Sequence, residues 1–94
     1  MAYRFEWDPA KAGSNFRKHR VSFEEAITAF GDPFSLLWPD PSHSMGEERY
    51  LVLGVSDNQR LLVVAFADRE PRTRIISARL ATRSERRRYE EAEA

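Results

Sequence analysis

Arg49-Tyr-Leu-Val-Leu-Gly-Val55, Ser56-Asp-Asn-Gln-Arg60 and Leu61-Leu-Val-Val-Ala-Phe-Ala67 form the stretch on which the fold turns. The outer segments are rich in β-branched, aromatic and other apolar residues, and a short polar segment separates them. They read as two strands of a hairpin. Downstream, Asp68 to Pro71 makes another turn and Thr73 to Ala78 a further strand. Upstream, Phe34 to Trp38 is a short apolar run that reads as a strand, and Pro39-Asp-Pro-Ser-His-Ser-Met-Gly46 reads as a loop. Consecutive strands with short turns predict an antiparallel meander of three or four strands.

Helices flank this meander. Phe5-Glu-Trp7 can make a short strand, after which Asp8-Pro9 has the form of a helix start, with Asp8 as N-cap and Pro9 in the first turn. That helix is expected from Pro9 to about His19. Ser22-Phe-Glu-Glu25 is a capping box, followed by Phe23, Ala26, Ile27 and Phe30 at helical spacing. Gly31 and Asp32-Pro33 end that second helix. Thr82-Arg-Ser-Glu85 is another capping box and opens a last helix to about Glu91. The order predicts an α+β fold: a small antiparallel sheet with helices packed on one face, in a single domain over residues 1–94.

Composition narrows the function. The chain has 94 residues, 41% of them apolar, with six Phe, two Trp and three Tyr, enough for one modest core. It has no cysteine, so disulfides and thiolate metal sites are excluded. Two histidines, His19 and His43, make no zinc site, and neither a metal nor a cofactor is expected. No secretion signal or membrane span is legible, and the reading is a cytoplasmic protein with no membrane partner.

The formal net charge is zero, but residues 1–48 carry a net −3 and residues 49–94 a net +3. From Arg72 to Arg88 there are seven arginines and one acidic residue. Guanidinium is always charged and presents a donor fork that fits phosphate oxygens, so this stretch points to a polyanion, with RNA the first candidate. A genome rich in G and C would also favour arginine.

Each candidate has a structural alternative. Arg74 suits a cross-strand ion pair as well as a phosphate. Arg74 and Arg79 fall on opposite faces of a regular strand and converge only if the chain bends or bulges near Ser77 to Arg79. Arg86 and Arg87 are spaced to pair with Glu90 and Glu91. Arg83 lies in the first turn of its helix, where a cation is disfavoured unless an anion is near. Glu47-Glu48-Arg49 places a carboxylate beside an arginine at a strand mouth, which suits either a salt bridge or a general base with an electrostatic partner. Lys18 and His19, at a helix C-terminus, are favourable there without any function. Trp7 and Trp38 can stack on bases or belong to the core.

Taken together, Phe5-Glu-Trp-Asp-Pro9, Lys11, Asn15, Lys18-His19, Val21-Ser-Phe-Glu-Glu-Ala26, Asp32-Pro33, Gly46-Glu-Glu-Arg49, Arg74-Ile-Ile-Ser-Ala-Arg79 and Glu85 to Tyr89 resemble the BrnT family of type II toxins. The resemblance runs through nearly the whole chain in order. It implies a RelE-like ribonuclease fold and an RNA-cleaving toxin that blocks translation. It also implies neutralisation by a BrnA-like antitoxin, with promoter DNA bound only through the antitoxin complex. One position departs from the pattern: Arg20 stands where the family commonly has Gly.

Combined with the chemistry of metal-free RNA cleavage, the resemblance makes Glu48 the expected base for the 2′-hydroxyl. Arg49, Arg74 and Arg79 become phosphate stabilisers, and Lys18 or His19 the acid or a further phosphate contact. Arg60, Arg83 and Arg87 would hold the nucleic-acid backbone away from the scissile bond. Two other readings fit the residues: a catalytically inert partner-binding module, and a small nucleic-acid-binding regulator. Net neutrality argues against the second.

Overall fold

A computed structural model describes residues 4–40 and 47–93. Most of the expected Pro39–Gly46 loop, His43 included, lies outside them. Strand β1 (Phe5–Glu6) leads into helix α1 (Pro9–His19) and helix α2 (Phe23–Thr28), which tightens into a 3₁₀ turn at Ala29–Gly31. Strands β2 (Leu36–Pro39), β3 (Arg49–Val55), β4 (Leu61–Arg69) and β5 (Arg72–Leu80) follow, then helix α3 (Arg83–Glu93).

The N-cap residues are those the sequence predicts, though one of the two capping boxes forms only its first arm. Asp8 Oδ1 accepts from Ala10 N–H at 2.9 Å, and Ser22 Oγ accepts from Glu25 N–H at 3.0 Å. Thr82 and Glu85 complete both arms of their box: Glu85 N–H donates to Thr82 Oγ1 and Thr82 N–H to Glu85 Oε1. In the box at Ser22 the Glu25 carboxylate does not turn back to the cap. It is spent elsewhere, on Arg60 and Ser56. Arg20 does take the left-handed conformation that suits glycine, with φ 58° and ψ 31°. Its N–H closes α1 on Phe16 C=O at 2.8 Å, and its guanidinium lies over the Phe16 ring.

The sheet order is β1-β5-β4-β3-β2, antiparallel except that β1 pairs parallel to β5. The first strand thus docks beside the last, a pairing that local patterning does not reveal. One face carries the main core: Val21, Phe23 and Ala26 meet Val52, Leu62, Val64, Phe66, Ile75 and Ala78. Phe30 bridges Phe5 and Phe66 with centroid separations of 5.0 Å each.

Helices α1 and α2 share that face, whereas α3 crosses to the other. There Tyr89 packs with Leu53, Leu61 and Val63, which alternate with the core residues of the same strands. The Tyr89 hydroxyl donates to Asp32, whose other contacts are Phe34 N–H and Val55 N–H, both at 2.9 Å. Burial opposes the Asp32 charge, yet these hydrogen bonds hold its carboxyl below the usual range. Tyr89 is thereby tied to the start of the β2 segment.

Strand β5 contains a bulge. Ala65 faces Ser77 while Phe66 faces Ile75, so Ile76 is an extra residue. Beyond β1 the outer edge of β5 is met by a side chain. Asn15 donates to the Ala78 and Val21 carbonyls at 2.9 and 3.0 Å and accepts from Ala78 N–H at 3.1 Å.

Candidate active site

The bulge decides which side chains can meet. Ile75 and Ala78 both enter the core, although three residues separate them. Arg74 and Arg79 consequently share the opposite face, since their partners Ala67 and Val63 lie on it. Arg49 faces Ala67 from β3, Arg74 faces it from β5, and Glu6 faces Arg74 from β1. Arg69 and Arg72 form the next pair outward. Four arginines therefore gather at the corner of the sheet that α3 leaves uncovered, with Ala67 as the floor between Arg49 and Arg74.

Two carboxylates interleave with them. Arg69 Nε donates to Glu47, and Arg49 Nε lies 3.8 Å from the same carboxylate. The Arg69 hydrogen bond, helped by the charges of Arg69, Arg49 and Arg74, holds the Glu47 carboxyl below the usual range. On the other side Glu6 takes Arg74 at 3.2 Å and Arg72 at 3.5 Å. The corner remains net cationic. Arg49 Nε is itself buried with no hydrogen-bond partner among the described residues.

Several expected residues stand elsewhere. Glu48 does not join Arg49: Tyr50 donates to its carboxylate at 2.8 Å, and strand alternation puts both on the face of α1 and α2. Glu47 takes the place expected of Glu48. Arg60 is engaged within the fold. Its Nε donates to Glu25 at 2.9 Å, its terminal nitrogen forms an ion pair with the same carboxylate, and it also donates to Arg20 C=O. Ser56 Oγ adds a 2.7 Å bond to this buried glutamate, and the Arg60 contact is the main cause of its lowered pKa.

Arg79 is on the expected face, but its fork grips Glu85 at 2.9 and 3.0 Å. Its partner Val63 is four residues along β4 from Ala67, about 14 Å from the Arg49–Arg74 row. Lys18 and His19 line a shallow pocket with Lys11, Ser14, Ile76 and Ser77 at the outer edge of β5. Arg83 and Arg87 are exposed on α3 without ion pairs among the described residues. Arg86 and Arg87 do not pair with Glu90 and Glu91. Glu6, Glu47, Arg69 and Arg72 are additions to the expected set. Parity from Arg49 finds Glu47, but the other three require the sheet register.

A family model described as "Ribonuclease toxin, BrnT, of type II toxin-antitoxin system" matches residues 7–85. The chain belongs to the BrnT family. Its members are ribonuclease toxins of type II toxin–antitoxin systems. The fold is also similar to the 1.1 Å crystal structure of the Brucella abortus ribonuclease toxin BrnT. The TM-score is 0.67 at 19% identity, over 87% of this chain and 100% of that one. No match was found among curated proteins. The matched span of this BrnT-family chain holds Glu47, Arg49, Arg69, Arg72 and Arg74, and Glu6 lies one residue before it. No helix among the described residues is long and apolar enough to cross a membrane.

Proposed function

We propose that this toxin cleaves RNA on the arginine face of its sheet, using side chains alone. The observation that carries the reading is the row Arg49–Ala67–Arg74, two guanidiniums on either side of a residue too short to block a phosphate between them. Such a pair stabilises the charge that accumulates on the non-bridging oxygens of a pentacoordinate phosphorus. Glu47, a carboxylate beside Arg49, takes the proton of the 2′-hydroxyl as that oxygen bonds to phosphorus. The bond to the 5′-oxygen breaks, and His19 or Lys18, reaching round the outer edge of β5 from the face of α1, supplies its proton. The products are a 2′,3′-cyclic phosphate and a free 5′-hydroxyl.

Arg79 serves this site indirectly, by locking the start of α3 through Glu85. Arg83 and Arg87 hold more distant phosphates. In the cell the toxin acts in the cytoplasm, blocks translation by cutting RNA, and is silenced by a BrnA-like antitoxin. Promoter DNA is engaged only through that antitoxin.

Purified Glu47→Gln, Arg49→Ala and Arg74→Ala variants test the site against Glu48→Gln. The first should lose about 10²–10⁴-fold in RNA cleavage and the arginine variants about 10²–10³-fold each. Glu48→Gln should stay within a few-fold of wild type. Undiminished cleavage by the first three would overturn the assignment. One observation favours a second reading, an inert module that binds its antitoxin: Arg69, Arg72 and Arg74 already hold carboxylates, as an acidic partner segment would be held. Absence of cleavage by wild-type protein that still binds antitoxin would establish it.

A further inference from the structure

The row of the sheet next to the arginines ends in Trp38. Trp38 faces Leu51, Leu51 faces Ala65, and Ala65 faces Ser77. Arg49 lies two residues from Leu51 on the same face, so it is the diagonal neighbour of Trp38, about 7–8 Å away. The indole leans on the second core cluster without being sealed into it. Above its ring sits the Arg88 guanidinium, 5.3 Å from the centroid. Arg88 is itself exposed. Trp7 is different: it meets Phe23 edge-on at 5.9 Å, on the side of α1 and α2.

We propose that Trp38 is a stacking platform for an unpaired RNA base, with Arg88 as its exchangeable cover. The inference rests on RNA binding to the arginine face. The Arg88 guanidinium is planar, cationic and, among the described residues, held only by an exposed cation–π contact, which is weaker than the stacking of a base on an aromatic ring. An incoming base displaces Arg88 from the indole, and the freed guanidinium turns to a backbone phosphate. The diagonal spacing lets a nucleotide whose phosphate lies at Arg49 put its own base, or its neighbour's, on Trp38. Stacking of this kind accepts any base, since every base offers a π-face, and so sets preference for single strands over duplexes.

Tryptophan emission reports this directly, because the chain has only two tryptophans. A mixed-sequence 2′-O-methyl oligoribonucleotide, which lacks the nucleophile for cleavage, is titrated into the Trp7→Phe variant, with binding followed in parallel by anisotropy. Saturable quenching of Trp38 at the concentrations that give binding is the expected result. An abasic strand of equal length should bind without quenching. The complementary Trp38→Phe variant, with Trp7 intact, should show no quenching even where it binds. Trp38→Ala should lose about tenfold in affinity for the base-bearing strand and little for the abasic one. Binding by anisotropy with unchanged Trp38 emission would overturn the platform while leaving the arginine face standing. No binding at all would overturn both.

Discussion

Replacing Asn15 with aspartate should destabilise the protein in a pH-dependent way that the isosteric shape alone would not suggest. Asn15 is 8% exposed, and its amide nitrogen donates to the carbonyls of Val21 and Ala78. A carboxylate in the same place sets negative oxygen against both. Protonating an ordinary aspartate at pH 7 costs about 4 kcal/mol. Once protonated it donates a single O–H, so one carbonyl still goes unmatched, at roughly 1–3 kcal/mol. Local opening to water limits the total, and a loss of about 4 kcal/mol is expected near pH 7, a large share of the ~5–15 kcal/mol of a typical domain.

The introduced carboxyl has a folded pKa raised above its unfolded value. Relative to wild type, the penalty is therefore smallest below the unfolded pKa of about 3.9 and grows as pH rises towards the folded pKa. Urea unfolding of wild type, Asn15→Asp and Asn15→Ala, at about pH 7 and about pH 4.5, checks this. The aspartate penalty should shrink to about 2 kcal/mol at the lower pH, while the alanine penalty stays constant. An aspartate variant within about 1 kcal/mol of wild type at neutral pH, or equally destabilised at both, would refute the reasoning.

Other perturbations probe the remaining assignments. Arg60→Met strands the buried Glu25 carboxylate, whose side chain is 7% exposed, and should cost about 3 kcal/mol in urea unfolding. RNA affinity of the folded protein should not change, since Arg60 faces Glu25 and not the arginine corner. The Arg79 hydrogen bonds pull the Glu85 carboxyl from 4.5 to about 2. A depressed pKa contributes stability above the unfolded value that is lost as pH falls from about 4.5 towards 2. After allowance for the partly exposed Arg79, Glu85→Gln should lose roughly 1–2 kcal/mol near neutral pH and flatten acid unfolding over that window. Gly54→Ala would bring a methyl to 2.6 Å from the Ala29 carbonyl oxygen, a backbone atom that cannot swing aside. A loss of about 2–3 kcal/mol and a melting point lower by about 10 °C or more are expected in calorimetry.

What the sequence made legible were the features that are local. Asp8-Pro9, Ser22, Thr82 and the capping arm of Glu85 act within three residues of themselves, and the helices begin where they stand. The Arg49–Ala67 hairpin follows from apolar runs around a polar turn, and β3 begins and ends at the expected residues. The site was less legible because it depends on which face each side chain takes. Glu48 illustrates this: residues 47 and 49 share a face, and 48 belongs with Tyr50. Arg60 shows a limit of a different kind. Its partner Glu25 is 35 positions away, in what reads as a self-sufficient capping box, and nothing nearby signals that the carboxylate is buried. Likewise α3 crosses the sheet because Tyr89 fits Leu53, Leu61 and Val63, residues whose common face is fixed only by the register.

The bulge at Ile76 is where these long-range effects become chemistry. Strict alternation would send Arg74, Ile76 and Ala78 to one face and Ile75 to the other. The core takes Ile75 and Ala78 together, which a regular strand cannot offer, so one residue must be looped out between them. Asn15 makes the arrangement affordable at its far end by satisfying both backbone groups of Ala78, where β1 no longer reaches. Arg79 is thereby turned to the face that Arg74 already occupies, and its hold on Glu85 seats the first turn of α3 beside that face. Arg88 then reaches Trp38 from the same helix. A single inserted residue in β5 thus brings both halves of the arginine-rich segment to one surface, and the side chain that stabilises it comes from α1, 63 positions earlier.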